Sequence, residues 1–389
     1  MTSQEVEEHL LSLGEQIKAH VNGKGYELAW EQVEELEEIL DSDEKIDEEV
    51  QFLSLRMMAK FYHTVKNYDK TKNYSKRALH IKEMDKTHTE LVIDTYLDYA
   101  GLEREHGQFS NARKLLKELL GLLESTDWQD AYYYGLVYRS LGMVEVDEGD
   151  DESALRNLEK ALTYFRESVA EENSIIGQTV YAISDIYIRL EDYDQALHLH
   201  QQLLETYQQI GDKVSEGKSL LKIGEVYFYI DAKKSRRTIT QAVKLFGEVY
   251  EDKHIDIAKG NLLLGELDET MGGIPRALKY YKRSLEQMDR FYSESHFLTV
   301  YAYSKIGTLS ITVNEWDHAE EYLEKGLALS DPFPKMRRQF LHALGEFIPK
   351  KQPMIKHFLI FRNSCKDLSK MEAINRRDMR IPFRILDLI

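Results

Sequence analysis

The stretch "YAGLEREHGQFSNARKLL", residues 99–116, returns forty-two residues on as "LGMVEVDEGDDESALRNL", residues 141–158. Near the far end it returns as "IGTLSITVNEWDHAEEYL", residues 306–323. Few side chains are shared, yet in each the second residue is small and the fourteenth is alanine. Sliding this grid along the chain gives first small positions at Ala59, Ala100, Gly142, Ser184, Gly224, Gly265 and Gly307, with separations of 41, 42, 42, 40, 41 and 42 residues. Twelve residues on, a second small position falls at Thr71, Ala112, Ala154, Ala196, Ala277 and Ala319, with Ser235 taking that role in a unit whose loop is one residue shorter. A third point follows seven residues later at Ala78, Ala161, Ala242, Ser284 and Gly326, with Leu119 and Leu203 in the other two units. Extended backwards, the grid lands more weakly on Ile17 and Ala29.

Helix geometry accounts for the grid. Each unit contains two apolar stretches of helical period, parted by polar turns such as "REHGQF", "DEGDDE", "RLEDYD" and "TVNEWD". Gly or Asn at the end of the first helix supplies a left-handed stop at low cost. Two helices joined this tightly approach closely, and small residues at the crossing permit it. Bulky partners such as Leu141 and Leu158, or Ile306 and Leu323, fill the remaining space. A single hairpin cannot bury its apolar face alone, so neighbouring hairpins must stack.

The pattern resembles the tetratricopeptide repeat, whose small residues recur at the eighth, twentieth and twenty-seventh positions. That repeat is usually 34 residues long, and about eight extra residues add roughly one turn to each helix. HEAT and armadillo units reach the same length, but the three-point grid separates them from this one. The resemblance implies an all-α, right-handed superhelix of about eight hairpins over residues 1–332. The repeats centre near residues 17–36, 59–78, 100–119, 142–161, 184–203, 224–242, 265–284 and 307–326. Five of the six prolines fall in the last 58 residues, and "SDPFPK" closes the last repeat. Residues 333–389 are expected to form a basic helical cap and tail.

Charge is unevenly spread. Of the net −17, residues 1–50 contribute sixteen acids against three Lys or Arg, whereas residues 333–389 hold thirteen Lys or Arg against five acids. An acidic body repels phosphates, which argues against a nucleic-acid partner. The acidic N-terminus is unlike a secretory leader, and no run of about 18 apolar residues offers a membrane span. The single cysteine, Cys365, fits a reducing compartment. These features lead to an expectation of a cytoplasmic protein without membrane attachment.

No catalytic, metal or cofactor site emerges from the residues. There is no Gly-rich phosphate loop, and "MGGIPRA" at Met271 reads as a repeat turn. His198 and His200 are two apart on a helix and point to different faces. Cys365 reads as packing, and the acid runs as solvated surface. The expected function is therefore binding, without cofactor or metal.

In such a superhelix the concave wall is built from first helices, and the outward positions lie three before and one after each small residue. These and their neighbours include Arg56, Lys60, Arg104, Arg139, Gln178, Tyr181, Asp185, Lys218, Glu225, Lys259, Glu266 and Tyr301. A lining of charged and aromatic groups suits an extended peptide or a partner's extended segment. It lacks the Lys/Asn arrangement with which chaperone-binding tetratricopeptide domains hold a terminal carboxylate. Units of this length resemble kinesin-light-chain repeats and the Rap phosphatases with related peptide-pheromone receptors, and "IDEEVQFLSLRMMAKFYH", residues 46–63, leans to the second group. That resemblance implies a regulatory, quorum-sensing-type peptide receptor, and would make Gln51 the glutamine assisting aspartyl-phosphate hydrolysis. Val50 occupies the aligned place, however, and one place on a helix is a rotation of about 100°. The expectation is a non-enzymatic protein, with a Rap-like phosphatase or a pure scaffold as alternatives. An exposed solenoid end also leaves room for a second copy of the chain.

Overall fold

The computed structural model describes residues 3–22, 26–42, 45–81, 89–126, 129–171, 173–250, 254–288 and 296–351. Among these residues there are seventeen α-helices, one short 3-10 turn and no strand, in agreement with the all-α expectation. Cys365 and the basic tail segments at 354–371 and 376–389 lie outside the described residues. Two compact units are present, Met1–Ile186 and Tyr187–Ile389.

The first unit starts with α1 (Ser3–Asn22), a 3-10 turn (Tyr26–Ala29) and α2 (Trp30–Leu40). Three hairpins follow: α3 (Glu48–Thr64) with α4 (Tyr68–Leu79), α5 (Thr89–Glu105) with α6 (Phe109–Ser125), and α7 (Ala131–Glu148) with α8 (Asp151–Ser168). The unit boundary falls inside α9 (Ser174–Arg189). In the second unit α10 (Tyr193–Ile210) packs on α11 (Lys213–Ile230), which pairs with α12 (Ala232–Val249). The remaining hairpins are α13 (Ile255–Thr270) with α14 (Ile274–Met288) and α15 (Phe297–Thr312) with α16 (Trp316–Leu329). Helix α17 (Pro334–Lys351) packs on α15 and α16.

The small residues sit where the helices of each hairpin cross. A Cβ added at Gly142 would lie 2.6 Å from Leu158 Cγ, at Gly265 2.7 Å from Tyr281 Cε1, and at Gly307 2.6 Å from Leu323 Cδ2. The facing second-helix positions Ala112, Ala154, Ala196, Ser235, Ala277 and Ala319 are fully buried. Gly149 ends α7 at φ 86°, and Glu145 O accepts from the backbone N of both Gly149 and Asp150 at 2.9 Å. Asn314 makes the same left-handed turn after α15, as expected of Gly or Asn, but so do Lys66 after α3 and Glu191 after α9, at φ 59° and 60°. The stop signal is thus weaker in composition than in geometry.

Aspartates start many of the helices. Asp47, Asp130, Asp150, Asp192 and Asp212 each accept from backbone N–H groups in the first turn of the following helix. Asp231 is the single residue between α11 and α12 and caps α12 through Lys233 N at 2.9 Å. This explains the shortened loop of that repeat. His254 and His296 cap α13 and α15 through Nδ1, each at 3.2 Å.

Successive hairpins are stapled by buried ion pairs. The residue after the second small position reaches the acid three places after the next first small position. Lys72 Nζ meets Glu103 Oε1 at 2.7 Å, Arg113 Nε meets Glu145 Oε1 at 2.9 Å, and Arg236 Nη2 meets Asp268 Oδ1 at 2.5 Å. Glu103 and Asp268 have no exposed side-chain surface. On α2, Glu37 accepts from Tyr62 and Tyr74 at 2.7 Å and from Lys70 at 2.8 Å.

Two outcomes are expected. Gly142→Ala should destabilise the first unit by about 1–3 kcal/mol in urea unfolding through overpacking. Gly101→Ala, in a helix with nothing within 4 Å, should instead stabilise it by about 0.5–1 kcal/mol. The second concerns pH. Burial raises the carboxyls of Glu37 and Glu103, but hydrogen bonds from Lys70, Tyr62 and Tyr74 to the first, and from Lys72 and Asn111 to the second, outweigh it. Both end below the ordinary 4.5, so their contribution is complete above 4.5 and is lost as pH falls through the depressed values. The urea midpoint should drop on acidification below 4.5, and Glu37→Gln should flatten that slope while lowering the midpoint at neutral pH.

Candidate functional site

The first-helix positions fall into two different surfaces, one in each unit. In the first unit they carry long side chains only partly buried. Arg56 on α3 donates from Nη2 to Asp94 Oδ2 on α5 at 3.1 Å, and its side chain is 15% exposed. Lys60, one turn on, is exposed. Arg104 Nε on α5 lies 3.6 Å from Asp147 Oδ2 on α7. Arg139 Nη2 on α7 donates to Gln178 Oε1 on α9 at 3.2 Å. The Nε atoms of Arg56, Arg104 and Arg139 are all buried without a hydrogen bond. Burial, and then the like charge of Arg104, hold the Arg139 guanidinium below its ordinary pKa.

Gln178 is exposed, and Tyr181 and Asp185 further along α9 are half-buried. Gln51 is half-buried on α3, two turns before Lys60. The sequence reading missed Asp147, which faces Arg104, because it lies five places after Gly142 rather than at a position predicted to face outward.

In the second unit the equivalent positions are more enclosed. Leu221, Glu225, Leu262, Glu266 and Tyr301 are all buried, so the expectation that Glu225, Glu266 and Tyr301 project freely is corrected. The physical reason is that the polar groups among them find protein partners. Tyr301 donates its hydroxyl to Glu266 Oε1, and Glu225 Oε2 lies 2.9 Å from Lys222 Nζ. Glu269, one turn beyond Glu266, accepts from Tyr281 at 2.6 Å and from Lys305 at 3.1 Å. Lys222 was not singled out in the sequence, since it sits two places before Gly224.

Two lysines of this surface remain open. Lys218 is exposed, and Lys259 is half-buried without a hydrogen bond or ion pair among the described residues. Burial lowers the Lys259 pKa; Asp256 and Glu225 oppose the shift, while Lys222 and Lys218 add to it. His200 lies inside α10, where burial and then the Lys222 charge push it down to about 3, so it is neutral at pH 7. Its neighbour His198 is exposed, as two-apart helical spacing requires. Among the described residues no cluster of three His, Cys, Asp or Glu side chains could hold a metal ion, and no helix is long and apolar enough to cross a membrane.

Models of the tetratricopeptide repeat match residues 179–214 and 256–331. Within those two stretches the chain carries tetratricopeptide repeats. No curated protein sequence matches it. Among solved structures, this chain is similar to the apo form of RapI, at 14% identity and a TM-score of 0.58 over 94% of this chain and 99% of that one. It is also similar to a signal-transduction ATPase with a tetratricopeptide-repeat sensor from Pyrococcus horikoshii, at 16% identity and a TM-score of 0.55, covering 85% of this chain and 48% of that one. A tetratricopeptide repeat protein from Parabacteroides merdae follows at 14% identity and a TM-score of 0.52, covering 75% and 98%. At these identities the likeness establishes the fold alone.

The lysine pair yields a checkable outcome. In an NMR titration the Lys259 ammonium should lose its proton below the ordinary 10.5. Lys218→Gln, which removes a neighbouring cation without breaking an ion pair, should move that midpoint upward. A Lys259 midpoint at the ordinary value would contradict the burial described.

Proposed function

We propose that the first-helix faces bind an extended peptide or a partner's extended segment, and that the protein acts as a regulatory interaction protein rather than a catalyst. One observation carries this reading. Arg56, Arg104 and Arg139 stand on three successive first helices, each part-buried and each with an Nε that makes no hydrogen bond. The part-exposed faces of these guanidinium groups offer charge-assisted donors to the backbone carbonyls that an extended chain supplies at regular intervals. The tetratricopeptide repeats and the RapI-like fold agree with a binding scaffold. Of the other first-helix candidates, Lys60, Gln178, Tyr181 and Asp185 belong to the same unit and would border the same ligand. The acidic body disfavours nucleic acid, and the cytoplasm is the compartment this reading assigns.

Display of random twelve-residue peptides against the full chain tests the proposal. Selected peptides should bind the wild type and lose about tenfold or more when Arg56 and Arg104 are both changed to Ala, since each removes charge-assisted hydrogen bonds. Unchanged affinity in that variant would place binding elsewhere. The non-catalytic part has its own check: incubation with phosphorylated response regulators should not speed their dephosphorylation. Acceleration that Gln51→Ala abolishes would establish the phosphatase instead.

A further inference from the structure

We propose that Arg139, supported by Arg104, forms a subsite for one acidic side chain, an aspartate or glutamate within an extended peptide. This rests on the peptide-binding reading above and adds the chemistry of a single contact. Arg139 is singled out by what it lacks. Among the described residues the other part-buried arginines are Arg56, Arg77, Arg104, Arg113, Arg236 and Arg337, and each is ion-paired with a carboxylate. Arg139 has none. Its one hydrogen bond goes to a neutral amide, Gln178 Oε1 at 3.2 Å, and its Nε is buried and unused.

A desolvated guanidinium is costly without an anion, and its planar fork matches a carboxylate with two parallel N–H donors. Arg104 stands one hairpin earlier and close enough that its charge is felt at Arg139. Its own acid, Asp147, is 3.6 Å away, and its Nε also makes no hydrogen bond. Arg104 has a carboxylate of its own and Arg139 has none, so the uncompensated positive charge is that of Arg139. A monoanion balances that surplus. A doubly charged phosphate would overshoot it and set excess negative charge beside Asp147. Gln178 holds Arg139 through its oxygen, which leaves its amide N–H groups for the incoming chain. First helices stand on both sides of this point within the unit, α3 and α5 before it and α9 after it, so a chain running along them would pass it rather than end there. An internal side chain is thus favoured over a terminal carboxylate.

The probes are the peptides selected by display against the full chain, resynthesised with acetyl and amide ends. Each acidic residue is replaced in turn by its amide and, separately, by phosphoserine, and affinity is read by fluorescence polarisation. One Asp→Asn or Glu→Gln change should weaken binding at least about tenfold, the loss of one charge-assisted contact. In Arg139→Gln the acidic and amide peptides should bind alike, at the affinity the wild type shows for the amide form. Arg139→Lys should keep part of the preference, and circular dichroism of both variants should match the wild type. Equal binding of acid and amide by the wild type would overturn the subsite, as would a preference that survives Arg139→Gln. Tighter binding of phosphoserine, or of a free C-terminal acid in place of the internal one, would overturn it in favour of those groups. In all these cases peptide binding itself stands. Failure of display to select any binder would defeat the peptide reading and this subsite together.

Discussion

The structure depends on how closely the two helices of each hairpin can approach. At Gly142, Gly265 and Gly307 the space a Cβ would need is already filled by Leu158, Tyr281 and Leu323. Helix backbones brought this near gain dispersion contacts along both apolar stripes, and each stripe's outer edge is left for the next hairpin. Substituting a larger residue at the crossing would force the pair apart and disturb every contact built on it. That is why small residues hold their places while their neighbours vary.

A second layer of order joins one hairpin to the next. Lys72 with Glu103, Arg113 with Glu145, and Arg236 with Asp268 occupy the same two grid places in three different repeats. In two other repeats of the second unit those places hold Leu197 with Tyr227 and Leu278 with Ser310, so cation and acid are absent together. A buried acid without its cation would cost several kcal/mol, about 3–5 for breaking such a pair, which accounts for their joint loss. This pairing was readable in the sequence once the grid was drawn. Reading acids on a repeat surface as solvated conceals it.

The candidate site was legible only in part. The positions named for the first unit do carry part-buried or exposed polar side chains, and Arg139 beside Gln178 is the clearest of them. For the second unit the same rule named Glu225, Glu266 and Tyr301, which are buried and engaged with neighbouring side chains. A positional rule identifies which face of a helix a residue occupies. It does not reveal whether a neighbouring helix supplies a partner, because Lys222, Lys305 and Asp147 come from places the rule does not inspect.

Sequence alone determined the helical class, the repeat length and the hairpin crossings, because each follows from short-range spacing along one chain. Most left-handed stops, read as Gly or Asn at the end of the first helix, were of the same local kind. Tertiary structure alone decided which charges are compensated. Whether a guanidinium finds a carboxylate depends on side chains about forty residues away, as with Arg56 and Asp94 or Arg104 and Asp147. Coulomb energies turn on separations of a few ångströms and on burial, and neither is written in the order of the residues.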